Sequence, residues 1–95
     1  MQAPTVSHIG SMVLENERVK VYEFLLQPGE ITGTHSHPDY VAYCLSGSSL
    51  RMTSPDGKTR ELAFKTGETS FRKALTHSIE NTGREPARFL VIELK

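Results

Sequence analysis

The sequence predicts an all-β fold: a single small antiparallel β-barrel or jelly roll with little or no helix. Three observations predict it. Apolar residues recur with period two in short runs. Turn-forming residues interrupt those runs about every 8–12 residues, the spacing of a sandwich or barrel. No window repeats apolar residues at i, i+3, i+4 and i+7 over three turns, the signature of an amphipathic helix.

Taken in order, residues 11–20 have room for one helical turn and little more. Residues 18–26, RVKVYEFLL, place Val19, Val21, Phe24 and Leu26 against charged neighbours and end at Pro28-Gly29. A short strand carries His35 and His37. Residues 41–45 form an apolar run between Pro38-Asp39 and Ser46-Gly47. Leu50 and Met52 alternate with Arg51 and Thr53. Ser54-Pro55-Asp56-Gly57 is a turn, because Pro presets φ and Gly accepts positive φ. Residues 59–64 alternate again through Leu62 and Phe64, and Gly67-Glu68 turns the chain once more. Residues 69–71, 77–81 and 88–94 supply three further strands. The last of these, RFLVIELK, has four consecutive apolar residues and reads as a central strand buried on both faces. Seven or eight strands are expected in all.

The 95 residues make one domain spanning 1–95. Eleven Lys and Arg balance eleven Asp and Glu, and no run of like charges occurs. A neutral surface excludes nucleic acid and anionic membrane as the main partner. The single cysteine, Cys44, excludes an internal disulfide framework and a cysteine-based zinc knuckle. No apolar stretch approaches the ~20 residues of a membrane-spanning helix. The first residues lack the basic start and apolar stretch of a signal peptide, so the expected location is cytoplasmic.

Three of the four histidines hold the chemistry. On a strand, His35 and His37 point to the same face, with Cβ atoms roughly 6–7 Å apart. That separation suits two imidazoles on one metal ion at ~2.1 Å each. His77 opens another strand, which an antiparallel barrel can bring beside His35. The alternative is three polar histidines without a ligand. His8 reads as an exposed or strand-end residue.

The surrounding residues resemble the cupin superfamily. PGEITGTHSHPDYVAYCLSG is similar to its first motif, G-x5-H-x-H-x3/4-E-x6-G, with Gly29, His35, His37 and Gly47 in place. GETSFRKALTHSIEN is similar to the second, G-x5-P-x-G-x2-H-x3-N, through Gly67, His77 and Asn81. HSHPDYVAY, SPDGKTREL and LVIELK further resemble a subgroup of small cupins linked to β-alanine degradation. Two departures stand out. Lys73 and Leu75 occupy the second motif's Pro and Gly positions, and its spacing is one residue short. The family's metal-binding Glu is missing: the counts fall on Tyr40, Val41 or Ala42.

The resemblance carries three metal ligands onto this chain: His35, His37 and His77. For the fourth, Asp39 comes first, Tyr40 second, and water or substrate third. Such a set suits Fe, Mn, Co, Ni, Cu or Zn. The implied function is a metal-binding protein whose barrel pocket takes a small anionic or carbonyl metabolite. It acts either as a dioxygenase- or lyase/isomerase-type enzyme, or as a non-catalytic binding, sensing or structural cupin. Tyr40, Cys44 and Arg72 are the pocket residues to weigh. Cys44 has an alternative as a small buried hydrophobe, and Arg72 an alternative on a solvated sheet face. Asn81 reads as a turn or strand-end hydrogen-bonder. A barrel this small has edges and apolar outer surface to cover, so a homodimer formed partly by the N-terminal strands is expected.

Overall fold

The computed structural model describes residues 5–6 and 10–95, so the reading of His8 lies outside the described residues. Eleven strands and no helix are found among these residues. They are β1 (Thr5–Val6), β2 (Ser11–Glu15), β3 (Val19–Leu26), β4 (Ile31–Thr32), β5 (His35–His37), β6 (Tyr40–Ser46), β7 (Ser49–Thr53), β8 (Thr59–Ala63), β9 (Thr69–Arg72), β10 (Leu75–Asn81) and β11 (Ala87–Leu94). One sheet runs β2-β3-β11-β6-β9. The other runs β1-β4-β10-β7-β8, with β5 also paired to β10. Apart from the parallel β1–β4 pair, the pairings are antiparallel. The result is a jelly roll rather than a strictly closed barrel.

Each expected strand forms within a residue or two of its expected ends, and β11 is central, flanked by β3 and β6. The expected helical turn does not form. Ser11–Glu15 is instead an edge strand paired to β3, with a bulge between Met12 and Leu14. Asn16 then turns the chain: its side-chain oxygen accepts the backbone N–H groups of Arg18 and Val19 at 2.8 and 3.0 Å. Edge position leaves Met12, Val13 and Leu14 exposed.

The core lies between the two sheets. Phe24, Leu26, Phe89 and Val91 come from one, Leu50 and Ile79 from the other, and Phe64 from the loop after β8. Phe89 sits edge-on to both Phe24 and Phe64, with ring centres 6.1 and 5.1 Å away. Such aromatic pairs add to the burial energy of their area. Alternation along β6 turns Tyr40 and Cys44 inward and leaves Tyr43 exposed. The Ser54–Gly57 turn closes with a 2.9 Å bond from Gly57 N–H to the Ser54 carbonyl, and Gly57 has φ +88°. Gly47 is required for a different reason: a Cβ there would lie 2.3 Å from the Phe64 carbonyl oxygen.

Candidate metal centre

Strand pairing assembles the site. β5 lies antiparallel to β10 so that His35 faces His77 directly and His37 faces Leu75. Pro38 follows His37 and β5 stops there, because proline brings no N–H to a ladder. The three imidazoles gather into one cluster. Ring centres are 4.7 Å apart for His35–His37 and for His35–His77, and 5.2 Å apart for His37–His77. One potential ligand atom from each lies within 4.8 Å of the others.

Hydrogen bonds decide which nitrogens are available. His35 Nδ1 lies 2.9 Å from the Gly33 carbonyl, an acceptor, so Nδ1 carries the hydrogen and Nε2 keeps its lone pair. That Nε2 is buried and has no partner, and the same is true of His77 Nε2. A buried polar atom without a partner costs roughly 1–3 kcal/mol and calls for an explanation. Burial, first, and the neighbouring histidines and Arg72 after it, hold His77 down to a pKa of about 3. His35 is lowered too, mainly by burial. Both are therefore neutral at pH 7, the form that binds a metal. His37 differs. Its Nδ1 lies 2.6 Å from a carboxylate oxygen of Glu93 and 3.1 Å from the Tyr22 hydroxyl, which itself donates to the same oxygen at 3.0 Å.

Two openings meet at the cluster. Inside the jelly roll lies a cavity of about 40 Å³, walled by core residues such as Phe24, Leu50, Phe64 and Phe89, with His35, His37, His77, Tyr40 and Arg72. Outside, His35 and His37 line a shallower cleft with Met12, Lys20, Ser36 and Glu93.

The sequence-predicted residues divide clearly. His35, His37 and His77 come together. Tyr40 lines the cavity with its ring centre 4.6 Å from that of His37, and burial raises its phenol pKa. Arg72 lines it too and lies over the Phe64 ring at 5.8 Å. Asp39 does not join the group. Once Pro38 has ended β5, Asp39 is exposed, and its carboxylate accepts the Ala74 backbone N–H at 2.8 Å. Cys44 is fully buried in the core outside the cavity lining, and burial raises its thiol pKa. Arg51 pairs with Glu61 at 2.7 Å on the outer face. Sequence reasoning missed Tyr22 and Glu93. The available signal was Glu93 itself, an acid that follows four consecutive apolar residues on the central strand.

Comparison with known proteins agrees with this fold. The cupin domain family matches residues 22–93, well over half of the chain. The chain belongs to the cupin family. A cupin domain from Bordetella pertussis Tohama I superimposes with a TM-score of 0.86 at 31% identity, covering 100% of this chain and 98% of that one. An uncharacterized conserved protein with a double-stranded β-helix domain from Klebsiella pneumoniae gives a TM-score of 0.74 at 25% identity, covering 93% and 76%. A predicted oxalate decarboxylase from Thermotoga maritima gives 0.56 at 28% identity, covering 80% and 66%. No curated protein matches the sequence.

For this cupin the donor set fits a divalent transition metal. Neutral imidazole suits Zn, Cu, Fe and Ni, and two of the buried nitrogens have no other partner.

Proposed function

We propose that this cupin holds a divalent transition metal on His35, His37 and His77 and uses it to bind a small carboxylate-bearing metabolite. The observation that carries the reading is the pair of buried, unpartnered Nε2 atoms in a three-histidine cluster. When bound, the metal supplies Lewis-acid polarisation of a ligand oxygen.

The cavity supports the ligand class. Each water needs roughly 10–15 Å³ of such space, so about 40 Å³ admits only a few heavy atoms beyond the metal. The walls are mostly apolar, and their one permanent cation is Arg72. Arg72 forms no ion pair among the described residues, so its guanidinium is available to a carboxylate, which it matches in a bidentate fashion. Tyr40 keeps its proton and offers a hydroxyl donor beside His37. The Thermotoga maritima relative described as a predicted oxalate decarboxylase points to the same class. So does the resemblance to small cupins linked to β-alanine degradation, since both compounds are short carboxylates.

Elemental analysis of protein reloaded with Fe, Mn, Co, Ni, Cu or Zn tests the metal. Near-stoichiometric metal in the wild type, lost in His35→Ala and His77→Ala, is expected. A wild type that retains none overturns the reading. Thermal-shift measurements of the metal-loaded protein with oxalate, malonate and β-alanine test the ligand. Arg72→Ala should abolish the response while retaining the metal. An unchanged response in that variant rules out Arg72 as the counter-ion.

A further inference from the structure

Glu93 occupies an unusual position. It lies on the central strand β11, between Lys20 of β3 and Tyr40 of β6 in the sheet register. Its carboxylate is largely buried, with the side chain 13% exposed. A buried carboxylate needs a partner. Lys20 is the adjacent cation across the sheet, yet the recorded partners of Glu93 are His37 and Tyr22. One oxygen, Oε2, receives both. Burial, and next the charge of Glu93, raise the pKa of Tyr22, so its hydroxyl remains a donor.

This arrangement restricts His37. A carboxylate oxygen 2.6 Å from Nδ1 only accepts, so Nδ1 carries the hydrogen. The tautomer that remains has its lone pair on Nε2. His35 reaches the same tautomer by donating to the Gly33 carbonyl. The two rings are thus set by different acceptors, one neutral and one charged.

We propose that Glu93, held by Tyr22, is a positioning residue for the metal site: it fixes the tautomer and ring orientation of His37 and places the site's compensating negative charge behind a ligand. The inference rests on the three-histidine metal site proposed above. Its physical basis is that a histidine ligand whose second nitrogen donates to a carboxylate is more basic and already oriented. A dication on three neutral imidazoles keeps its full charge, and a carboxylate one residue behind offsets part of it. The motif expects an acid at or near Tyr40. Here the acid stands across the sheet from Tyr40, on the neighbouring strand.

The test has two parts. Nitrogen-15 NMR of the metal-free protein reads the His37 tautomer directly: Nδ1–H is expected in the wild type and in Glu93→Gln, whose amide oxygen still accepts. A His37 found as Nε2–H in the wild type overturns the proposal. Competition of Co(II) or Zn(II) against a chelator then measures affinity. Glu93→Ala should bind about 10–100-fold more weakly, Glu93→Gln should recover part of the loss, and Tyr22→Phe should lose least. Equal affinity in the wild type and all three variants overturns the positioning role and leaves the metal site standing. No binding by the wild type overturns both. Glu93→Gln and Tyr22→Phe keep the test decisive should Glu93→Ala fail to fold.

Discussion

The strand β10 carries two buried polar residues four apart, His77 and Asn81, and they behave in opposite ways. Asn81 is 1% exposed and His77 4%. Asn81 uses its full hydrogen-bonding capacity. Its amide group donates to the carbonyls of Leu26 and Glu85 at 2.9 and 2.8 Å, and its oxygen accepts from Gly83 N–H and the Ser48 hydroxyl, both at 2.9 Å. His77 Nε2 has none. Equal burial therefore conceals different purposes. The satisfied residue ties three chain segments together, whereas the unsatisfied one keeps a buried nitrogen without a partner. Partner count, not burial, separates the structural end of this strand from the end that enters the histidine cluster.

Four measurements would break or sharpen that contrast. Among substitutions, Asn81→Ala should have the largest effect, about 3 kcal/mol or more, because several buried groups lose their partners at once; urea unfolding measures it. A loss under about 1 kcal/mol would erase the distinction. Acid comes next. The folded pKa of His77 is depressed to about 3 from an ordinary 6.5, so below pH 6.5 the unfolded chain binds a proton that the folded chain refuses. Metal-free protein should hold its stability above pH 6.5 and lose it as pH falls toward 3. The slope from this group is at most about 1.4 kcal/mol per pH unit, and His77→Gln should flatten it in thermal melts. His77→Ala without metal should shift stability by only about 1 kcal/mol, since losing an unsatisfied group offsets the lost contacts. Arg51→Ala on the outer face should change it by less than about 1 kcal/mol, as an exposed ion pair does; a larger loss by urea unfolding would make that pair structural.

Both residues of the comparison were legible in the sequence, because the His-x3-Asn spacing is local. Period-two alternation likewise marked β3, β7 and β8, and consecutive apolar residues marked β6 at Val41–Leu45 and the central β11 at Phe89–Ile92. β2 was not legible. The bulge between Met12 and Leu14 breaks its alternation, and an edge strand exposed on both faces leaves no hydrophobic pattern. β1 and β4 are two residues each, too short for any periodicity. Asp39, the first choice for the fourth ligand, stands apart because Pro38 ends β5 and its carboxylate caps Ala74 N–H instead. Glu93 was missed because it meets His37 across 56 positions of chain, a contact that depends on sheet register and leaves no local pattern.

The strand β5 has only three residues and, among the described residues, pairs with β10 alone. No second strand among the described residues holds it, so in the metal-free protein it is a segment expected to open early in hydrogen exchange. An ion shared by His35 and His77, as proposed, would tie β5 to β10 by a second kind of bond. Metal loading would then act as a staple: at a free metal concentration about 1,000 times the dissociation constant it would add about 4 kcal/mol to folding stability. The amide protons of Ser36 and His37 should register that staple as slowed exchange, and the melting temperature should rise with metal concentration rather than sit at a fixed value.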